Sequence, residues 1–335
     1  MEPTLTLRDI GKRFDDHVAV DSLSLSVPPG TVYGILGPNG AGKSTTLRMI
    51  MNIIARDTGQ ISLLGRDPVR DPKVLRRVGY LPEERGLYRK MKVMDTIAFF
   101  AELKGVPAPE ARRRGRVWLE RMGLAEWEGA KIETLSKGMQ QKVQFITTVL
   151  HEPEVLVLDE PFSGLDPVNQ DVMRDTVERA RSEGRTVLFS THVMEQAERI
   201  CDHVCIIAQG RKVLEGGLRE VRRRERGNRY EIEFESDPPG FERLVSEGRL
   251  FEGAERRNGS WRVELSPRID STALLSELNG LGSRIVRFIH LEPSLHQIFV
   301  SRVGDAGTAH RNPSSASDRR DANQAASGRE EPNHA

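Results

Sequence analysis

Residues 34–45 read Gly-Ile-Leu-Gly-Pro-Asn-Gly-Ala-Gly-Lys-Ser-Thr, and this stretch restricts the fold more than any other. Gly37, Gly42, Lys43 and Ser44 fill the fixed positions of the pattern G-x-x-x-x-G-K-[ST], with Pro38, Asn39, Gly40 and Ala41 between them. An apolar run at residues 32–36 precedes it, short enough for a buried strand. Residues 45–54, beginning at Thr45, read as a helix. Strand, glycine-rich turn and helix in that order aim backbone N–H groups at one point, with the positive end of the helix behind them. Such a cradle suits an anion. Lys43 adds a point charge for the β- and γ-phosphates of a nucleotide, and Ser44 offers a hydroxyl to a magnesium ion.

A second stretch completes the chemistry. Residues 154–161 read Glu-Val-Leu-Val-Leu-Asp-Glu-Pro, and four aliphatic residues in a row predict a strand buried on both faces, as in a parallel sheet. It delivers Asp159 and Glu160 at its C-terminal end, where open α/β sheets bind ligands. Asp159 is placed to hold magnesium through water, and Glu160 to accept a proton from an attacking water. Phosphate loop and acidic strand end together outline a nucleotide hydrolase.

Residues 4–27 alternate, with Leu5, Leu7, Leu23, Leu25 and Val27 at period two, and predict half-buried strands. Residues 12–17 connect them; Phe14 on that loop either stacks on a nucleobase or is an ordinary packed ring. Residues 59–65 read as an edge strand, and 78–88 as a strand running into a polar loop. Helical spacing covers 93–104 and 109–122, with the basic run 112–116 on a solvated face. Met139, Val143, Ile146 and Leu150 form one face of a further helix, with Ser136 and Gly138 at its start. Asp166-Pro167 opens another helix, and strands follow at 186–190, ending in Thr191-His192, and at 204–208. Helices alternating with buried strands from 32 to 208 predict a mostly parallel α/β sheet. The basic residues 219–229 read as a helix tail and linker, with a membrane-surface role as the alternative. Beyond them come strand 229–235, helix 240–248, strand 261–265, helix 271–280, strand 284–290 and a closing helix 293–303. This is a small α+β accessory domain, 228–303, without a recognisable catalytic set. Residues 304–335 contain no Val, Ile, Leu, Met or aromatic side chain and are expected to be disordered.

A length of 335 residues fits about two domains, and a net charge of +1 gives no electrostatic case for nucleic acid. No apolar run reaches the 18 residues of a spanning helix, and the N-terminus lacks a basic-then-apolar signal, so a cytoplasmic location is expected. Cys201 and Cys205 flank His203, but a structural zinc site wants four ligands, and the run reads better as the lead-in to a buried strand.

The ordered set of motifs resembles the ATP-binding subunit of ABC transporters over residues 4–220. Residues 37–45 look like Walker A, 155–161 like extended Walker B, and Leu135-Ser-Lys-Gly-Met like the family signature. Ser163-Gly-Leu-Asp166-Pro resembles the D-loop and Ser190-Thr-His192 the switch histidine. The resemblance implies a P-loop NTPase of ABC type with an antiparallel β edge and a helical subdomain at about 88–150. It implies ATP with Mg2+, and two nucleotide-binding domains meeting head to tail, with a homodimer expected. Ser136 and the Gly138 N–H would then hold the γ-phosphate of the partner's ATP, His192 would contact the γ-phosphate, and Asp166 would act across the dimer. Phe14 stands where a tyrosine adenine platform is commoner; stacking needs only the ring. Glu83, with Glu84 beside it, stands where a metal-touching glutamine is usual. Lys137 and Met139 depart from the usual glycine and glutamine of the signature. Residues 81–88, 135–145 and 292–299 look like the ABC-2 export branch, nearest to sodium- and drug-efflux ATPases. That branch implies a separate integral membrane permease, docked on residues 83–104 at the inner face of the membrane.

Two other readings compete. A soluble ABC-type ATPase on DNA or the ribosome would need a long coiled coil or a second ATPase unit. Here about ninety residues without heptads separate Walker A from the signature. A P-loop kinase or GTPase would leave the signature helix without purpose, and no Asn/Thr-Lys-x-Asp guanine motif appears.

Overall fold

The computed structural model describes residues 2–84 and 86–309. The chain opens with a hairpin, β1 (Leu5–Phe14) and β2 (His17–Val27), followed by β3 (Val32–Leu36), α1 (Lys43–Ile50) and β4 (Thr58–Leu63). β1 lies between β2 and β4 in an antiparallel sheet, with Leu5 opposite Val27 and Leu7 opposite Leu25. Every second side chain from Leu23 to Val27 is buried, as the alternation requires. Phe14 ends β1 and pairs with His17, so it lies at a strand end, not on a loop between shorter strands.

Next come β5 (Val78–Leu81), α2 (Val93–Leu103), α3 (Ala108–Arg121), α4 (Lys137–Val149), β6 (Val155–Asp159) and α5 (Pro167–Ser182). They are followed by β7 (Thr186–Thr191), α6 (Met194–Ile200), β8 (His203–Ala208), β9 (Arg211–Gly217) and α7 (Leu218–Arg224). The central sheet runs β5-β6-β7-β3-β8-β9, parallel except for β9. All residues of β3 and β6 are buried, because both faces of these strands are covered. Tyr33 and Ile35 face the antiparallel sheet and α1, while Val32 and Leu36 face α2–α6. Each such side chain contributes roughly 1.5–3 kcal/mol by leaving water. Parallel order puts the ends of β3, β6 and β7 at one edge, and the site lies there.

The last part holds β10 (Arg229–Phe234), α8 (Phe241–Ser246), β11 (Phe251–Arg257), β12 (Ser260–Leu265), α9 (Ser271–Asn279), β13 (Ile285–His290) and α10 (Leu295–Ala309). Its antiparallel sheet runs β11-β12-β10-β13. Tyr230, Ile232 and Phe234 alternate into a core of their own with Phe241, Trp261 and Leu274. β11 was not expected from the sequence: it is an edge strand with one wet face, and its run Phe-Glu-Gly-Ala-Glu-Arg-Arg carries little alternation. The closing helix continues past 303 to Ala309, into the stretch expected to be disordered, since no proline stops it; residues 310–335 lie outside the described residues. Its Leu295 and Ile298 are buried in the core of the first domain rather than that of the small one.

Candidate nucleotide site

Backbone shape comes first. Gly37 has φ 156°, and a Cβ there would sit 2.2 Å from Ile207 O. Gly42 has φ 100°, and a Cβ would sit 2.4 Å from Ala19 O. No other residue type fits either place without strain. α1 begins at Lys43, directly after Gly42, so its unpaired first N–H groups open onto the loop. Lys43 is only 6% exposed. Its Nζ donates to Gly37 O at 2.8 Å and Pro38 O at 3.1 Å, and lies 3.7 Å from Glu160 Oε1. A groove of about 290 Å³ opens here, lined by Phe14, His17, Ala19, residues 39–45, Glu83 and Glu160. Phe14 is 45% exposed at its rim.

Behind the groove, the ends of β6 and β7 meet. Asp159 is fully buried; its Oδ1 accepts from Ser44 Oγ at 3.2 Å and from Ser190 Oγ, while Oδ2 has no partner. Burial pushes the Asp159 carboxyl above the ordinary range, against the two serine hydrogen bonds. Glu83 Oε2 lies 3.5 Å from Ser44 Oγ. Glu84 points away: its carboxylate is 4.0 Å from Arg48, and its backbone oxygen accepts from Gln144 Nε2 at 3.2 Å. Of the two adjacent glutamates, Glu83 is thus the one beside the serine. Oxygens of Ser44, Asp159 and Glu83, one of them orphaned, are the donors a hard cation takes, and waters and phosphate oxygens complete such a shell. Among the described residues no three His, Cys, Asp or Glu side chains form a metal cluster, Cys201 and Cys205 included; burial pushes both of these thiols up.

Glu160 sits at φ +46°, a left-handed conformation that costs a non-glycine residue about 1 kcal/mol or more. The turn aims its buried carboxylate at the C-terminal end of β7. Oε1 accepts from His192 N at 2.9 Å and lies 2.8 Å from His192 Nδ1. Oε2 lies 3.1 Å from Thr191 Oγ1. The backbone bond and the ring bond share one oxygen, so the ring and the carboxylate move together.

Ser136, Gly138 and Asp166 do not line this groove. Ser136 caps α4, accepting from Met139 N at 3.2 Å. Gly138 packs near Gly164, and a Cβ at 138 would be 3.6 Å from Gly164 O. Asp166 caps α5 through Asn169 N at 3.1 Å, and its hydrogen bonds from Asn169 hold its carboxyl below the usual range. The structure therefore sorts the sequence-derived residues into two groups, one around Lys43 and one on the turn before α5 and the start of α4. Sequence reasoning assigned no role to Ser190, Thr191 or Gln196, which brace Asp159 and Glu160. The one available signal was their place at and just past the end of a buried strand.

The fold and groove define a P-loop nucleoside triphosphatase. The family described as ABC transporter matches residues 20–163, and the C-terminal domain described as ATP-binding protein DrrA1-3-like matches 216–303. The uncharacterized ABC transporter ATP-binding protein YhaQ of Bacillus subtilis is 42% identical over 300 residues, 90% of this chain and 98% of that one. Nod factor export ATP-binding protein I of Cupriavidus metallidurans is 33% identical over 306 residues, 91% and 98% of the two chains. A solved ATP binding subunit of an ABC transporter superposes with a TM-score of 0.63 at 30% identity, covering 66% of this chain and 93% of that one. The chain belongs to the ABC transporter ATP-binding proteins, a family that binds and hydrolyses ATP. Among the described residues no helix is long and apolar enough to cross a membrane.

Proposed function

We propose that this subunit powers export through a separate integral membrane permease, bound to it at the inner face of the membrane. The likeness to Nod factor export ATP-binding protein I carries the direction, because it runs over 91% of this chain, accessory domain included. A sodium ion or a drug-like molecule is the cargo class suggested by the efflux resemblance. Tyr88, Phe99 and Phe100 form an aromatic cluster with ring centroids 5.5–6.1 Å apart, just beyond the Glu83 loop. Tyr88 is 54% and Leu103 58% exposed, so this edge offers apolar surface for a permease helix.

The geometry supports the following roles. Phe14 stacks on adenine; Gly37, Pro38, Asn39, Gly40, Ala41, Gly42 and Thr45 wrap the phosphates, and Lys43 neutralises the β- and γ-oxygens. Ser44, Asp159 and Glu83 would hold magnesium, which when bound neutralises phosphate charge. Glu160 takes the proton of the attacking water, and His192, tied to the same carboxylate, holds the γ-phosphate. Ser136, Gly138 and Asp166 serve the ATP of a second copy, since they lie outside their own groove. ATP thus joins two protomers head to tail, and its hydrolysis parts them. No nucleic acid is involved.

The test is co-purification from gently solubilised membranes. The wild-type chain retains a membrane protein, and Phe99→Glu/Leu103→Glu loses it while still binding ATP. Retention by the double variant, or association of wild type with DNA or ribosomes at physiological salt, contradicts the proposal.

A further inference from the structure

The closing helix buries its apolar residues in the core of the catalytic domain rather than in that of the small domain that precedes it. Leu295 and Ile298 of α10 lie in the core built by α2–α6, with Phe299 packed against it. The helix beneath is α6. The Leu295 N–H, one of the first-turn donors that a helix leaves unpaired, donates to Glu198 Oε1 of α6. The same carboxylate faces the positive end of α10. Arg222 Nε of α7 donates to Pro293 O at 3.1 Å, and Arg302 of α10 pairs with Glu225 at 2.6 Å, so the approach is held from two sides.

α6 starts two residues after His192. Its Gln196 Oε1 lies 3.2 Å from Thr191 Oγ1, which lies 3.1 Å from Glu160 Oε2 and accepts Val193 N–H at 3.0 Å. A hydroxyl has one proton, so Thr191 donates to Gln196 or to Glu160 but not to both at once. The position of Gln196 on α6 therefore bears on whether Thr191 donates to the Glu160 carboxylate. His192 N and Nδ1 bond that carboxylate, so they shift with it.

We propose that α10 is a strap that sets α6 and, through Gln196 and Thr191, the His192–Glu160 pair, with Glu198 as a positioning residue. The C-terminal domain thereby governs the rate of hydrolysis and not the binding of ATP. Phe14 and the phosphate loop stand on other elements, β1 and the β3–α1 turn. The inference rests on the reading of Glu160 and His192 as the hydrolytic pair.

The test measures kcat, KM for ATP and thermal midpoint on the full chain with magnesium. Variants are Glu198→Ala, Glu198→Gln and Gln196→Leu, with Glu160→Gln as reference. Glu198→Ala lowers kcat about tenfold, the rate equivalent of a lost charge-assisted hydrogen bond, with KM unchanged. Glu198→Gln keeps an acceptor oxygen and recovers most of the rate. Gln196→Leu leaves α10 docked and lowers kcat in the same way, which decides the matter if Glu198→Ala does not fold. Wild-type kcat in Glu198→Ala and Gln196→Leu overturns the proposal, as does a loss that tracks thermal midpoint and that Glu198→Gln fails to rescue. Wild-type turnover by Glu160→Gln overturns the reading of the site, and the strap with it.

Discussion

Replacing His151 by glutamine tests how the helical subdomain is fastened to the sheet. His151 follows α4; its Nε2 is 3.3 Å from Val78 O at the start of β5, and its Nδ1 is buried without a partner. Lys104 Nζ, at the end of α2, donates to the same Val78 O at 2.9 Å and to Leu75 O at 2.7 Å. Burial first, and the Lys104 charge second, hold the imidazole down to about 4 from an ordinary 6.5. The unfolded chain therefore takes up this proton before the folded one does. Stability is full above about pH 6.5, falls as pH drops toward 4, and loses nothing further from this group below that. The loss is on the order of 1 kcal/mol at pH 5.5 and on the order of 2–3 kcal/mol at pH 4.5. Glutamine keeps a donor for Val78 O and cannot titrate. Urea melts of both proteins at pH 7.5, 5.5 and 4.5 share every other titrating group, so the difference isolates His151. The wild-type advantage at neutral pH should shrink by those amounts. A difference that stays constant with pH refutes the buried, neutral imidazole.

Three further outcomes are expected. Gly42→Ala places a Cβ 2.4 Å from Ala19 O at φ 100°, so it costs more than about 2 kcal/mol in urea melts and abolishes ATP binding; a folded variant that binds nucleotide normally contradicts the loop geometry. Phe14→Ala raises the Kd of ATP about tenfold in a fluorescent-nucleotide titration while Phe14→Tyr stays within about twofold, whereas equal values for Ala and wild type remove the stacking role. Glu83→Ala raises the magnesium concentration for half-maximal ATPase about fivefold and Glu84→Ala leaves it unchanged; the opposite ranking reverses the assignment.

The site was legible because its chemistry is local in sequence. Gly37, Gly42, Lys43 and Ser44 lie within eight residues, and Asp159 and Glu160 end one unbroken aliphatic strand. Burial on both faces writes itself into such strands, so β3, β6 and β7 were readable, and with them the edge that holds the candidate site. Phe14 reads as a loop residue in the sequence because the pattern of β1 is broken by register shifts between Leu7 and Arg13. β11 escaped because an edge strand needs only one apolar face, and here that face is sparse. α6 has seven residues, too few for a period to show. The docking of α10 was beyond reach for another reason. Leu295 meets Glu198 across 97 residues, and a helix that reads as the end of one domain gives no sign that it packs on another. Which of Glu83 and Glu84 lies beside Ser44 likewise depends on direction in space, which the sequence does not carry.

In the proposed mechanism ATP joins two copies of this chain until Glu160 acts. The most direct measurement is the mass in solution of Glu160→Gln with ATP and magnesium, by light scattering after size exclusion. A stable dimer is predicted, together with loss of turnover, and Ser136→Ala/Gly138→Asp should abolish the dimer without weakening ATP binding to the monomer. A Glu160→Gln chain that stays monomeric with ATP bound, or that hydrolyses ATP at the wild-type rate, contradicts the account.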